Sequence, residues 1–336
     1  MIKMKLGRQT VEFEKPISIE CAYSSVGKKE ADGPFGNYFD KVFDDELIGK
    51  DTWEKAESEL LKETIISLMQ KNKTAFSDID YIFSGDLLNQ CTSTSFAIKD
   101  FNVPHFGIFG ACSTFSEGIS LGSFLISGGF AKKVICATSS HFCTAEKQFR
   151  YPIEYGSARC PTSQWTVTGS GAVILSDANK GPFVTHITTG KIMDLGVTDA
   201  NNMGAAMAPA AADTILAHFK ETGRDEKYYD LIVTGDLGSV GMKLNIDLLK
   251  KEGIDISNNY NDCGNMIFNQ KEQSAKAGGS GCGCCASMFC GYFYKKLLEG
   301  EYKNILFVPT GALLSPISAL QGESIPSIAH AVAITM

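Results

Sequence analysis

The sequence lacks an excess of basic residues. Its 336 residues include 31 Lys and Arg against 38 Asp and Glu, which gives a formal net charge of -7. Proteins that bind a nucleic-acid backbone usually carry a basic stripe, and no such stripe is present. We therefore expect no nucleic-acid partner.

Long apolar runs are also missing. Met1–Pro16 is mixed and charged, without the apolar stretch that a signal peptide needs. Two long uncharged windows are unsuited to cross a bilayer: Ala277–Tyr294 is rich in Gly, Cys and Ser, and Asn304–Gly322 contains Pro309 and Pro316. We expect synthesis and retention on the cytoplasmic side.

The sequence contains many cysteines but lacks the paired cysteine motifs that are typical of metal sites. The 11 cysteines are expected to be free thiols in a reducing compartment, and their odd number leaves at least one unpaired. Cys282, Cys284 and Cys285, together with Cys263 and Cys290, lack the paired hooks of zinc sites. They are interpreted as small packing residues, and no metal or cofactor is expected.

The chain repeats itself at an offset of 150 residues. Asp80–Leu87 aligns with Asp230–Leu237, and Asp, Ile, Gly, Asp and Leu recur at five matched positions. A helical stripe of apolar residues precedes the first copy, and Asp51 with Glu54 suggests a capping box at its start. A second helix is predicted from about Ala208 to Lys220.

The two copies continue with the same plan. In the first half a strand leads into Ala111–Thr114 and a helix, followed by the strand Lys133–Thr138. In the second half Gly278–Cys282 opens a helix that ends near Gly300, before the strand Ile305–Thr310. This alternation predicts an α/β fold of two similar halves, 1–180 and 181–336, since the Gly- and Pro-containing loop at 178–182 favours a boundary there.

Seven local strings resemble the stage V sporulation protein AD family of the thiolase-like superfamily. They are Gly85–Gln90, Phe109–Thr114, Ala137–His141, Gln148–Pro152, Thr166–Gly171, Met207–Asp213 and Thr310–Pro316. The resemblance runs from about residue 7 to the C-terminus.

The resemblance implies a thiolase-like five-layer αβαβα fold. It also implies a non-enzymatic protein that binds dipicolinic acid (pyridine-2,6-dicarboxylic acid), with calcium possible as its companion. Such a protein would serve a channel complex at the spore inner membrane, as a peripheral component in dipicolinate uptake during sporulation, with release in germination as a further expectation. Thiolase-like folds commonly dimerise through a sheet edge, so a homodimer is a further expectation.

Cys112 lies where a strand turns into a helix, the place at which condensing enzymes of this superfamily hold their nucleophile. The positive end of the helix is expected to lower the pKa of the thiol and to attract a bound anion. These enzymes also use a histidine pair, or histidine and asparagine, from their second half. The corresponding loops, Gly235–Gly238 and Gly278–Gly281, offer Asp236 and Ser280 instead. Condensation should then be negligible, which favours a site reused for binding.

Carboxylates and cations complete the predicted site. By resemblance Asp194 lines the ligand pocket, and Asp86 and Asp236 could join it around a calcium ion. The alternative for each aspartate is a cap on a turn or helix.

Arg150 is the predicted partner of a ligand carboxylate, and Phe149 or Tyr151 could stack on the pyridine ring. His141 follows a strand end, where ligand loops gather. The alternatives are an ion pair from Arg150 to Glu146 or Glu154, and a loop histidine with satisfied hydrogen bonds. Two other functions stay open: acyl transfer through Cys112, and a purely architectural role.

Overall fold

Two sets of strands with one shared topology form the framework of the protein. In this computed structural model, residues 4–150 and 159–336 are described. The strands are β1 (Thr10–Gly27), β2 (Lys41–Phe43), β3 (Tyr81–Gly85), β4 (His105–Gly107), β5 (Lys133–Ser140), β6 (Trp165–Thr166), β7 (Gly169–Ser176), β8 (Phe183–Thr188), β9 (Leu231–Thr234), β10 (Tyr260–Asp262), β11 (Gly279–Ser280), β12 (Asn304–Val308), β13 (Thr310–Ala312), β14 (Ser327–Ala329) and β15 (Ala331–Thr335).

Helices connect and cover these strands. They are α1 (Lys28–Ala31), α2 (Trp53–Asn72), α3 (Thr92–Ile98), α4 (Thr114–Ser127), α5 (Phe142–Phe149), α6 (Met203–Thr222), α7 (Gly238–Lys251), α8 (Cys263–Ile267), α9 (Cys282–Met288), α10 (Tyr294–Leu298) and α11 (Pro316–Leu320). A π-helical segment, Phe289–Phe293, joins α9 to α10.

The sheet topology carries the duplication that the repeat predicts. The first half has the strand order β4-β3-β5-β7-β1, and the second has β10-β9-β12-β15-β8. In each half the first two pairings are parallel and the last two are antiparallel. Strand β1 also pairs with β8, so it joins both halves into one sheet. The predicted boundary at residue 180 falls in the connection from β7 to β8, and the division into 1–180 and 181–336 stays a prediction.

Five layers follow from strands that bury both faces. In β3, Ile82 packs outward under α2 and α3, whereas Phe83 faces the central core. In β9, Ile232 packs outward under α6 and α7, whereas Val233 faces the same central core. Helix α4 and the segment from α9 to α10 fill that core between the two halves of the sheet, where the ring centroids of Phe115 and Phe289 lie 6.0 Å apart. Since successive strand side chains point to opposite faces, this alternation produces the predicted αβαβα order.

The repeated aspartates at the strand starts have the same structural role in both halves. Asp80 Oδ2 accepts hydrogen bonds from the backbone of Lys132 and Lys133 at 2.7 and 3.0 Å. Asp230 Oδ2 accepts from Lys303 and Asn304 at 2.7 and 2.8 Å. Each aspartate therefore ties one strand start to the neighbouring strand of its own sheet.

Two local predictions need correction. Helix α6 begins at Met203 rather than near Ala208, so α2 and α6 match over their whole lengths at the 150-residue offset. The capping box of Asp51 and Glu54 is wrong, because Thr52 is the N-cap and accepts from the Lys55 backbone at 3.3 Å. Asp51 instead pairs with the Lys55 side chain. Across residues 4–150 and 159–336, no helix combines the length and the hydropathy that a bilayer crossing requires.

Candidate ligand-binding site

A cavity of about 360 Å³ lies between the two halves. Its wall includes Leu87, Cys112 and Phe149 from the first half, and Ser280 and Leu314 from the second. The volume is within the range of small-molecule sites, and apolar side chains dominate the wall, as is usual for such sites.

Cys112 reaches this cavity because the chain turns sharply before α4. Ala111 has a φ of 51°, in the left-handed region that non-glycine residues seldom adopt. Thr114 holds the turn, since its Oγ1 accepts from Gly110 N at 3.0 Å and donates to the Ala111 carbonyl at 2.6 Å. Backbone strain of this kind is often found at functional sites.

The Cys112 thiol is not activated by this position. Its side chain is 5% exposed, and Sγ lies 3.7 Å from Ser280 Oγ. Burial and the neighbouring Asp236 carboxylate raise the pKa of Cys112 well above its ordinary value. The expected lowering of this pKa by the helix terminus is therefore wrong, because desolvation and a negative neighbour outweigh the dipole.

Asp236 is fully buried beside the thiol. Burial, followed by the charge of Asp262, raises the pKa of Asp236 to about 7. Thr310 Oγ1 donates to its Oδ1 at 2.8 Å, and Oδ2 makes no hydrogen bond of good geometry within the described residues. Near neutral pH this group exchanges between the neutral acid and the carboxylate.

The two repeated aspartates at strand ends have diverged. Asp86 accepts from the backbone of Leu88 and Thr94 at 2.8 and 2.7 Å, and it lies outside the cavity wall. In the second half Asp262 provides the equivalent bonds, accepting from Leu237 and Gly238 at 2.8 Å each. Because Asp262 accepts these backbone hydrogen bonds, Asp236 does not act as the cap in the second half, and its side chain lies beside Cys112. Both oxygens of Asp86 are used on the backbone, as in the capping alternative, and its ligand role stays an untested prediction.

Arg150 lines the cavity and also forms an ion pair. Its Nε lies 3.2 Å from Glu146 Oε1, and Arg159 lies 2.5 Å from the same oxygen. Among residues 4–150 and 159–336, two guanidinium groups thus share this one carboxylate. The alternative ion pair with Glu146 is therefore present, Glu154 lies outside the described residues, and the contact of Arg150 with a ligand stays a prediction.

His141 and Asp194 do not join the cavity. His141 is the N-cap of α5: its Nδ1 accepts from Cys143 N at 3.1 Å, and its Nε2 lies 2.8 Å from the Glu46 carbonyl. Asp194 is exposed and binds Ser324 Oγ and Gly196 N at 2.5 and 2.9 Å. The structure therefore places both side chains outside the cavity, one as a helix cap and the other at the surface, and their ligand roles stay predictions.

The predicted calcium set is not assembled either. In the described ranges no three His, Cys, Asp or Glu side chains are grouped as metal ligands. Asp86 is held as a backbone cap, Asp194 lies at the surface, and only Asp236 approaches the cavity residues. Tyr151 lies outside the described residues, whereas Phe149 does line the cavity beside Leu87 and Cys112.

Sequence reasoning missed Gln164. This residue is 3% exposed, lines the cavity, and donates from Nε2 to the carbonyls of Asp236 and Gly279 at 2.5 and 2.9 Å. It precedes strand β6 in a stretch without a recognisable motif. Strand β6 pairs with β11, where Ser280 lies, and that long-range pairing brings Gln164 to the site.

Together the fold and the thiol at the strand-to-helix turn define a thiolase-like protein. The chain is similar to 3-oxoacyl-[acyl-carrier-protein] synthase III from Aquifex aeolicus VF5, with a TM-score of 0.58, 12% identity, and coverage of 95% of this chain and 100% of that one. It is also similar to cerulenin-bound OleA from Xanthomonas campestris, with a TM-score of 0.60, 12% identity and coverage of 97% and 98%. At this identity the two structures show the fold alone.

Within that class the chain belongs to the stage V sporulation protein AD family. The family model "Stage V sporulation protein AD" matches residues 7–335. The chain is 46% identical to Stage V sporulation protein AD of Bacillus subtilis (strain 168) over 330 residues, which covers 98% of this chain and 97% of that protein. The protein is therefore a sporulation-stage V protein with a thiolase-like fold.

Proposed function

We propose that the cavity binds dipicolinic acid and that the protein delivers this ligand to, or from, a membrane channel of the spore. The observation that carries the proposal is the cavity wall itself, where Arg150 and Glu146 lie with the aromatic ring of Phe149. Arg159 is not a lining residue, but it shares the Glu146 carboxylate with Arg150. An aromatic diacid has the two features that this wall would recognise, a flat ring and a carboxylate.

The arginines and the phenylalanines would contribute differently to ligand binding. Arg150 binds a ligand carboxylate through parallel N–H donors, and Arg159 offsets the charge of Glu146 so that Arg150 keeps its affinity for anions. Phe149 and Phe109 pack against the pyridine ring. If calcium accompanies the ligand, the ligand's own oxygens would hold it, and the protein would not need a calcium site of its own.

We further propose that the protein does not catalyse condensation. Cys112 remains a neutral thiol at neutral pH, since burial and Asp236 raise its pKa. An ionised Asp236 would repel a developing oxyanion, which an imidazole or amide donor would stabilise. The competing function is acyl transfer, because Cys112 does line the cavity. Mass spectrometry after incubation with acyl-CoA decides: a stable adduct on Cys112 with turnover would establish acyl transfer.

Dipicolinate binding is tested by isothermal titration calorimetry, with and without calcium. We expect wild type to bind, and Arg150→Gln to weaken the affinity about tenfold to a hundredfold, because a charge-assisted contact contributes about 1.5–3 kcal/mol. Arg8→Gln is the control, since the described contacts of Arg8 come from its backbone. Equal affinities for both variants would contradict the assigned wall, and no binding by wild type would overturn the function.

The proposed place of action is the spore inner membrane, through protein partners in the channel complex. The support for this location is family membership, together with a surface on which apolar residues such as Ile317 and Leu320 are exposed. Co-purification from spore membranes with the tagged chain tests it. Recovery of the chain without any channel subunit would contradict the proposal.

A further inference from the structure

The side-chain amide of Gln164 is held in one orientation. Both of its hydrogens are used, since Nε2 donates to the Asp236 carbonyl at 2.5 Å and to the Gly279 carbonyl at 2.9 Å. A flipped amide would set Oε1 against two carbonyl oxygens, which is repulsive. The hydrogen-bond network therefore assigns the nitrogen and the oxygen without ambiguity.

The oxygen of the same amide is left without a partner. Oε1 is buried and accepts no hydrogen bond from the described residues, although Gln164 lines the cavity. Buried acceptors are nearly always satisfied, so an orphan beside a cavity calls for an explanation. A donor on a bound ligand would provide the missing bond.

A metal ion is a weaker explanation for this orphan oxygen. Calcium takes six to eight oxygen ligands, with carboxylates prominent among them. The described residues include no group of three potential metal ligands, and Glu146, a carboxylate that lines the cavity, is already paired with Arg150 and Arg159. One amide oxygen with Ser280 Oγ nearby is better suited to a single N–H or O–H donor.

We propose that Gln164 determines the specificity of the cavity by accepting a hydrogen bond from the ligand, so that the bound form carries both a carboxylate for Arg150 and a donor group for Oε1. This inference rests on the proposed function. For dipicolinic acid, the form that fits is the singly protonated acid: one carboxylate binds the guanidinium, and the other carboxyl group keeps its proton and donates it to Gln164. A dianion would place two negative oxygens against an acceptor.

The decisive experiment compares three ligands on the wild-type protein by calorimetry over about pH 5 to 8. They are dipicolinate, its monoamide, which carries a permanent N–H donor, and picolinate, which lacks the second group. If only the protonated fraction binds, the affinity for dipicolinate falls about tenfold for each pH unit. The monoamide keeps its affinity over this range and binds more tightly than picolinate.

The monoamide also serves as the internal control for the protein's own titration. Charged or titratable groups at and behind the wall are Glu146, Arg150, Cys112, Cys160 and Asp236. Their protonation would affect all three ligands, so the difference between dipicolinate and monoamide isolates the ligand proton. A repeat with added calcium separates metal bridging from donation, because a dianion bridged by calcium would bind independently of pH.

A variant gives an independent readout. Gln164→Met removes the acceptor, and we expect the preference for monoamide over picolinate to disappear. Gln273→Met is the control, since Gln273 uses its amide on Lys29 and Asn269 away from the cavity. Should Gln164→Met fail to fold, the wild-type ligand series still decides.

The outcomes separate the two proposals. A monoamide that binds no better than picolinate, or a pH-independent dipicolinate affinity, overturns the role of Gln164 and leaves dipicolinate binding in place. If none of the three ligands binds at any pH, the proposed function itself is overturned.

Discussion

The buried carboxyl group of Asp236, beside the cavity, contributes to the pH dependence of this protein's stability. Asp236 has a folded-state pKa of about 7 against an ordinary value of 3.8, chiefly because of burial. Between these values the folded chain holds a proton that the unfolded chain has lost. Protonated Asp236 therefore stabilises the fold fully below about pH 4, and this contribution is lost as the pH rises through 7.

Asp236→Asn tests this linkage. Asparagine keeps an acceptor for Thr310 and cannot ionise. The free energy of unfolding of the variant should therefore rise relative to that of wild type by about 1.4 kcal/mol per pH unit from about pH 4 to 7, and the difference should stay constant above pH 7. Chemical denaturation at a series of pH values measures the difference, in which buried acids that do not interact with Asp236 cancel. Asp194→Asn is the control, because Asp194 is exposed. A difference that does not change with pH would show that Asp236 is ionised throughout.

At the level of single residues, the sequence predicted some of the residues that line the cavity and missed others, for identifiable reasons. Cys112 and Ser280 lie in local strings whose turn or strand position sets their direction, and both line the cavity. Asp194 and His141 satisfy local hydrogen bonds that the sequence cannot reveal. Gln164 depends on the pairing of β6 with β11, a contact between residues more than a hundred positions apart.

The helix that begins at Cys282 is built to lie close against strand β7. A side chain at Gly283 would place its Cβ 2.2 Å from the Gly169 carbonyl oxygen and 2.6 Å from Ser140 Oγ. The cysteines of this helix are fully buried. Glycine and cysteine alternate here because small residues allow the backbones to approach, which is the packing role predicted for them.

Gly283→Ala should therefore destabilise the protein. The added methyl group meets backbone atoms that cannot move aside, and overpacking of this kind costs typically about 1–3 kcal/mol. Gly107→Ala is the control, because its Cβ would meet only His105 Cε1 at 3.5 Å, and its effect should stay within about 0.5 kcal/mol. Urea denaturation measures both. Equal stability of the two variants would contradict the close approach of α9 and β7.

For the whole molecule, the repeat was the most productive signal in the sequence. Asp80 and Asp230 align at the 150-residue offset, and both tie a strand start to its parallel neighbour. That correspondence predicted two similar halves, and the matched strand orders confirm it. The junction through β1 could not be predicted, because a strand that pairs with both β7 and β8 leaves no periodic trace of its second partner.

The edge of the first sheet is the place where a second copy is expected to bind. Strand β4 pairs with β3 on one side only among the described strands, and Phe106, 50% exposed, stacks on Phe83 at 5.2 Å. Phe109, 47% exposed, follows that edge and lines the cavity, so a partner there would also cover part of the ligand site. An exposed apolar edge strand readily pairs with another strand.

We therefore expect a homodimer in solution that Phe106→Lys converts to a monomer, because a buried lysine at the paired edge would be desolvated without a partner. Sedimentation equilibrium of both chains measures the mass. Leu320→Lys is the matched control, since Leu320 is an equally apolar but 89% exposed residue of α11 and not of strand β4, and its substitution should leave the dimer intact. Dipicolinate affinity should fall together with dimerisation in the Phe106 variant only, because Phe109 loses its cover. A wild-type chain that sediments as a monomer at every concentration would assign β4 to a different partner.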